Sequence, residues 1–163
     1  MISVVVRAER GVEALAATLR AIVPAVAEGL VGDAVVLDPA SDDAVAAVAD
    51  AVGATLVAGP DVSWRRGAQA ARREWILCLG AGDVPGEGWI LALDQFFAAS
   101  PPDCGFGRLR RPTSWFARMR GLAGAQQVRA GDLLRRDLLL RSDVPPGRPA
   151  RVLAAIDRYP VLR

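Results

Sequence analysis

The sequence predicts an α/β fold with a mostly parallel sheet and helices on both faces. Two observations carry this. Four short apolar runs, "ISVVV" at 2–6, "DAVVLD" at 33–38, "ATLVA" at 54–58 and "WILCL" at 75–79, are separated by segments of helical period. The runs are rich in β-branched residues and several do not alternate, as in strands covered on both faces. Strict β-α alternation over the first hundred residues then argues for parallel strands joined by crossover helices.

Each element has its own signal. After the first run, Val12, Leu15, Leu19, Ile22, Val23 and Val26 form one apolar stripe of a helix, which Pro24 is expected to kink or shorten. After the second run, Ser41 is expected to cap a helix reaching about Val52, with Asp42 and Asp43 in its first turn. Gly59-Pro60 makes a turn after the third run. An arginine-rich helix over 63–73 precedes the fourth run. A helix from about Gly86 follows it, with Trp89, Ile90, Leu93, Phe96 and Phe97 inward.

Beyond Pro101-Pro102 the pattern changes. "CGFGRLRR" reads as a strand, "TSWFARMRGLAG" as a basic amphipathic helix, and "AGDLLRRDLLL" as a strand leading into a turn or helix. "RPARVLAAIDRYPVLR" reads as a last helix followed by a short strand. No linker or internal repeat divides the 163 residues, so one domain over 1–163 is expected, of a size that supports a single core.

Composition removes several chemistries. There is no histidine, so His-based nucleophile systems and imidazole metal ligands are excluded, and acid-base work falls to carboxylates. All twenty basic residues are arginine, which excludes Schiff-base and phosphate-loop lysines. The net charge of +2 does not argue for nucleic acid. Cys78 and Cys104 are too few for a disulfide framework or a four-thiolate site, and Cys78 within an apolar run reads as a packed thiol. No apolar stretch is long enough to span a membrane, and no basic-then-apolar leader opens the chain, so a cytoplasmic location is expected. Arg108, Arg110, Arg111, Arg118 and Arg120, interleaved with Trp115, Phe116 and Met119, suggest a basic amphipathic surface for peripheral contact with an anionic membrane. The same pattern also suits a core helix in an arginine-rich chain.

Ligands of open parallel sheets bind at the carboxyl ends of the strands. That rule puts Arg7 to Glu9, Asp38 to Ser41 and Gly80 to Asp83 along one rim. The pieces "VVVRAE", "VVLDPASDD" and "RRGAQAARREWILCLGAGD" in this order resemble the nucleotide-binding half of family 2 glycosyltransferases, inverting enzymes with the GT-A, Rossmann-like fold. Arg66-Gly67, the alanine-rich stretch after it, and Glu74 to Leu79 match that family's third motif without a gap. Asp38, Ser41 and Asp43 match its second motif, and "AGDLLRRDLL" looks like its acceptor-side strand. The resemblance implies a nucleotide-binding half over 1–100 and a reduced acceptor-side half over 101–163.

Carried over by position, the resemblance implies that Asp38 binds the base, that Glu9 lies against base or ribose, and that Ser41, Arg66 and Asp83 complete the nucleotide site. Asp143 would be the general base. The family's Asp-x-Asp pair falls on Gly80 and Gly82, so the divalent cation expected from the family lacks its ligands and no cofactor is expected. Read without the resemblance, Asp38 before Pro39 starts a turn, and Ser41 to Asp43 cap a helix. Two functions therefore stay open. One is transfer of a sugar from a nucleotide-sugar to an unknown acceptor, with arginines such as Arg66 and Arg7 neutralising the diphosphate. The other is a catalytically silent GT-A domain serving as a nucleotide-binding or protein-partner module.

Overall fold

The computed structural model describes residues 1–99, 101, 104–111, 127–142, 147 and 149–159. Its sheet begins with strands β1 (Ile2–Arg7), β2 (Val31–Asp38), β3 (Thr55–Ala58) and β4 (Trp75–Gly80), connected by helices α1 (Val12–Ala27), α2 (Asp43–Ala51) and α3 (Trp64–Ala70). These four strands are parallel, as the alternation predicts, in the order β3-β2-β1-β4. Then come β5 (Asp83–Pro85), α4 (Trp89–Ala99), β6 (Phe106–Arg110), β7 (Asp132–Arg135), α5 (Arg136–Arg141) and β8 (Ala150–Arg158). They extend the sheet to eight strands as β4-β7-β6-β8-β5. The β4–β7, β7–β6 and β8–β5 pairs are antiparallel, while β6 and β8 run parallel.

Side-chain alternation along β1 and β4 builds two cores. Val4 and Val6 with Leu77 and Leu79 face α1, α2 and α4, whose Leu15, Leu19, Val45, Leu93 and Phe96 complete that side. Val5 with Ile76 and Cys78 faces the other way, onto Ala68 of α3 and Leu139 of α5. Both faces are thus covered, which is why these runs are continuously apolar. Gly67 explains the arginine-glycine pair at α3: a Cβ there would stand 2.6 Å from Val5 Cγ1. The glycine lets the helix lie directly on β1.

Five expectations are corrected, the last of them the cap of α2. The segment read as a last helix is strand β8. Its Val152, Ala154 and Ile156 are buried and alternate with exposed Arg151, Leu153, Ala155 and Asp157, a period of two. The loop after Gly80 contains a short strand, β5, which pairs with β8. In α1 the buried face is Ala14, Leu15, Thr18, Leu19, Ile22 and Ala25, whereas Val23 and Val26 are more than half exposed. Small residues face inward there because the helix lies close to the Gly80–Asp83 loop. Pro24 sits in the last turns of α1 without ending it.

Helix α2 is capped by Asp42, whose carboxylate accepts a hydrogen bond from the Ala44 amide at 2.8 Å. Ser41, the expected cap, instead occupies the left-handed region at φ 55°. An N-cap takes extended backbone, and Asp42 has it.

Candidate functional site

The carboxyl ends of β1, β2 and β4 form one rim. Arg7 at the end of β1 is flanked by Leu37 on one side and Gly80 on the other, which places Asp38 and Gly80 at the same edge. The chain crosses this edge through backbone bonds from Ala8 to Leu37 O and from Ala81 to Arg7 O, each 2.8 Å.

Asp38 is buried, and its carboxylate is drawn into its own turn. Oδ1 accepts from the Ala40 amide at 3.0 Å and Oδ2 from the Asp42 amide at 2.6 Å. It therefore fixes the β2–α2 connection, and each oxygen keeps a further acceptor position. Ser41 stands exposed in this turn. Arg66, in the first turn of α3, is exposed, and its amide is held by Ser63 Oγ at 3.3 Å. Asp143 lies outside the described residues.

Of the residues singled out in the sequence for the nucleotide, Arg7, Glu9 and Asp83 are brought into one niche. It has a volume of about 130 Å³ and is lined by Arg7, Glu9, Arg10, Gly80, Ala81, Asp83, Arg111, Ala130 and Arg158. Arg7 Nε lies 2.7 Å from Glu9 Oε1, a partly exposed ion pair. Asp83 is almost wholly buried; its Oδ2 accepts from the Gly80 amide at 2.7 Å and its Oδ1 is paired with Arg111. Burial pushes the Arg111 guanidinium down from its ordinary value; Asp83 opposes that shift, and the nearby charges of Arg158 and Arg129 add to it.

The glycine loop is tied down from both sides. The Gly82 amide donates to Thr18 Oγ1 at 2.8 Å and lies 2.9 Å from Ala14 O, both on α1. From β8, the Tyr159 amide donates to Gly82 O at 2.7 Å. Gly82 has φ +87°, and a Cβ on it would stand 2.6 Å from a terminal nitrogen of Arg10. Arg10 therefore lies over the glycine.

Three cationic residues of the niche escaped the sequence reading. Arg10 follows Glu9 directly and was legible by position. Arg111 follows β6, and the sequence suggested a membrane-facing role for it. Arg158 ends β8 and was hidden by the helical reading of that segment. A second cavity of about 350 Å³ adjoins the niche through Arg111 and Ala130 and is lined also by Arg108, Leu109, Arg110, Arg129 and Arg151. Arg108 there is committed to buried Asp132, with its NH2 group 3.0 Å from Oδ2. Two of the arginines read as a lipid-facing surface, Arg108 and Arg111, thus form inward ion pairs. Arg118, Arg120, Trp115, Phe116 and Met119 fall outside the described residues.

No helix among the described residues is long and apolar enough to cross a membrane. No group of three or more His, Cys, Asp or Glu among the described residues is placed to hold a metal ion.

No protein-family model matches the chain, and no curated protein matches it by sequence. Solved structures do. Glucosyl-3-phosphoglycerate synthase from Mycobacterium tuberculosis, in complex with Mn2+, UDP and phosphoglyceric acid, superposes with TM-score 0.64 at 20% identity over 85% of this chain and 56% of that one. A second structure of that enzyme, with Mn2+, UDP and glucosyl-3-phosphoglycerate, gives TM-score 0.66 at 17% identity over 98% of this chain and 73% of that one. A further structure, described only as a mycobacterial protein, gives TM-score 0.58 at 20% identity over 85% of this chain and 54% of that one. The chain thus spans little more than half the length of several of the structures it matches. Its eight-stranded sheet with helices on both faces is a GT-A-like glycosyltransferase fold.

Proposed function

We propose that this chain binds a nucleoside diphosphate or nucleotide-sugar at the β1–β4 rim and is a glycosyltransferase-like protein. The observation that carries the reading is the convergence of Glu9, Asp83, Arg7, Arg10, Arg111 and Arg158 on one niche at the carboxyl ends of the strands. Open α/β sheets take ligands there. A volume of about 130 Å³ suits the phosphates and not a whole nucleotide, so the nucleoside would lie along the rim toward Asp38. Structures of the same fold are described with UDP and with UDP-glucose bound, which supports this ligand class.

If transfer occurs, the acceptor hydroxyl oxygen bonds to the anomeric carbon as the bond from that carbon to the diphosphate breaks. The hydroxyl proton passes to a carboxylate, and the nucleoside diphosphate leaves with its charge held by the arginines. Asp143 is the carboxylate we assign to the proton. The alternative, a domain that binds nucleotide without catalysis, is favoured by one observation. The rim carboxylates Glu9, Asp38 and Asp83 are each already engaged by an arginine or by backbone amides.

Calorimetric titration with UDP, GDP and their glucose conjugates tests the ligand class, and release of nucleoside diphosphate from the conjugate tests transfer. Binding of a diphosphate that is tighter than binding of the free nucleoside is the expected result. Diphosphate binding no tighter than that of uridine or guanosine overturns the proposal.

A further inference from the structure

We infer that Arg10, Arg111 and Arg158 take the place of the divalent cation at this rim, so that the chain binds a diphosphate without metal. The inference rests on the diphosphate reading above and adds how the charge is neutralised. A hard cation needs several oxygen ligands, and the loop does not supply them. Gly80 and Gly82 have no side chain. Asp83 is a single carboxylate whose charge is already met by Arg111, with its other oxygen on the Gly80 amide. The residues present do not fit a metal.

They do fit an anion. Four guanidiniums line the niche against two carboxylates, leaving two positive charges over. Arg7 is balanced by Glu9 and Arg111 by Asp83, while Arg10 and Arg158 have no ion-pair partner among the described residues. The excess charge thus sits on the two arginines that flank the loop. Guanidinium groups present paired N–H donors that match phosphate oxygens in a planar fork, which suits them to a diphosphate better than an ammonium would be.

The geometry also gives the glycines a purpose. A side chain at Gly82 would displace the end of the flexible Arg10 side chain, so the glycine that removes a metal ligand also leaves Arg10 its place over the loop. Arg111 is held in place by buried Asp83, and Arg158 is delivered by β8, whose end is bonded to Gly82. Arg111 is thus fixed before any ligand arrives, the arrangement that makes electrostatic stabilisation effective, while Arg10 and Arg158 stand exposed at the niche.

The test is titration of the full chain with sodium pyrophosphate, UDP and uridine in the presence of EDTA, repeated with Mn2+ in excess. We expect UDP and pyrophosphate to bind in EDTA, with affinity falling as salt rises. Arg10→Gln and Arg158→Gln should each weaken binding about ten- to a hundredfold, the range for a lost charge-assisted bond. Arg20→Gln on the exposed side of α1 should leave it unchanged. Thermal melting of each variant checks that it is folded. Binding that needs Mn2+, or variants that bind as well as the parent, overturn the arginine assignment while leaving the nucleotide reading intact. Pyrophosphate binding as tightly as UDP supports the arginine niche and overturns the nucleotide reading. Binding of neither overturns both.

Discussion

Arg111, the residue after β6, reaches the carboxylate of Asp83 across the edge of the sheet and neutralises it where it is buried. Asp83 is the one carboxylate between Gly80 and Pro85, and its charge is met from within the chain. This pair ties the start of β5 to the residue after β6, and through the Gly80 amide Asp83 also reaches the end of β4.

Removing one partner of such a pair is costly, because the other charge stays buried. Arg111→Met should destabilise the protein by roughly 3 kcal/mol, at the lower end of the range for buried pairs because part of the Arg111 side chain remains in water. That corresponds to about 10 °C in melting temperature for a domain of this size. The double variant Arg111→Met with Asp83→Asn should recover much of the loss. Urea unfolding of the three proteins checks both statements, and equal stability of the single and double variants would contradict them.

The two glycines of the loop should respond differently to aspartate. A Cβ at Gly80 meets nothing closer than 3.4 Å, whereas one at Gly82 displaces Arg10 and sits on a backbone of positive φ. Gly82→Asp should therefore weaken metal-free diphosphate binding more than Gly80→Asp does. The double variant should gain measurable Mn2+ binding in the presence of a nucleoside diphosphate, which titration with and without EDTA will detect.

Asp38 carries two separable roles. Asp38→Ala leaves the Ala40 and Asp42 amides without their acceptor and should cost about 2 kcal/mol of stability. Any direct contact of Asp38 with a base adds a loss of affinity for UDP over that for pyrophosphate, by roughly ten- to a hundredfold. Comparing the two ligands on the same variant separates the roles. An unchanged ratio reduces Asp38 to a turn residue.

Cys78 is fully buried, and burial, aided by the charge of Asp132, pushes its thiol well above the ordinary value of 9.0. In the unfolded chain the thiol ionises from that pH upward, while in the folded chain it stays protonated. The unfolded state is thus favoured as pH rises past 9, by at most about 1.4 kcal/mol per pH unit. Urea midpoints measured from pH 8 to 10 should fall, and Cys78→Ala should flatten that fall. A thiol reagent should modify only the half-buried Cys104 in the native protein.

Strands β1 and β4 were legible because they are covered on both faces and read as unbroken apolar runs, whereas the exposed edge strand β3 was legible by its place in the alternation. Strand β8 was not. Val152 and Ile156 are four residues apart, a spacing that fits one face of a helix and one face of a strand equally. Only the residue between them decides, and Ala154 is small enough to fit either. Missing that strand hid Arg158, since a helix would have sent its side chain elsewhere. The candidate nucleotide residues Glu9 and Asp83 were legible as strand ends. The partners that balance them were less so, because an arginine's reach spans elements that the sequence separates by dozens of positions.

The bond from the Tyr159 amide to Gly82 O has a consequence for how the niche comes into being. Its floor is made early in the chain and its clasp late, so no partial product that stops short of Arg158 can contain the assembled charges. During synthesis the loop waits, with Arg10 in place and Arg158 still to come, until the last strand pairs with β5 and β6. The guanidiniums of the niche thus come together only once β8 has been made.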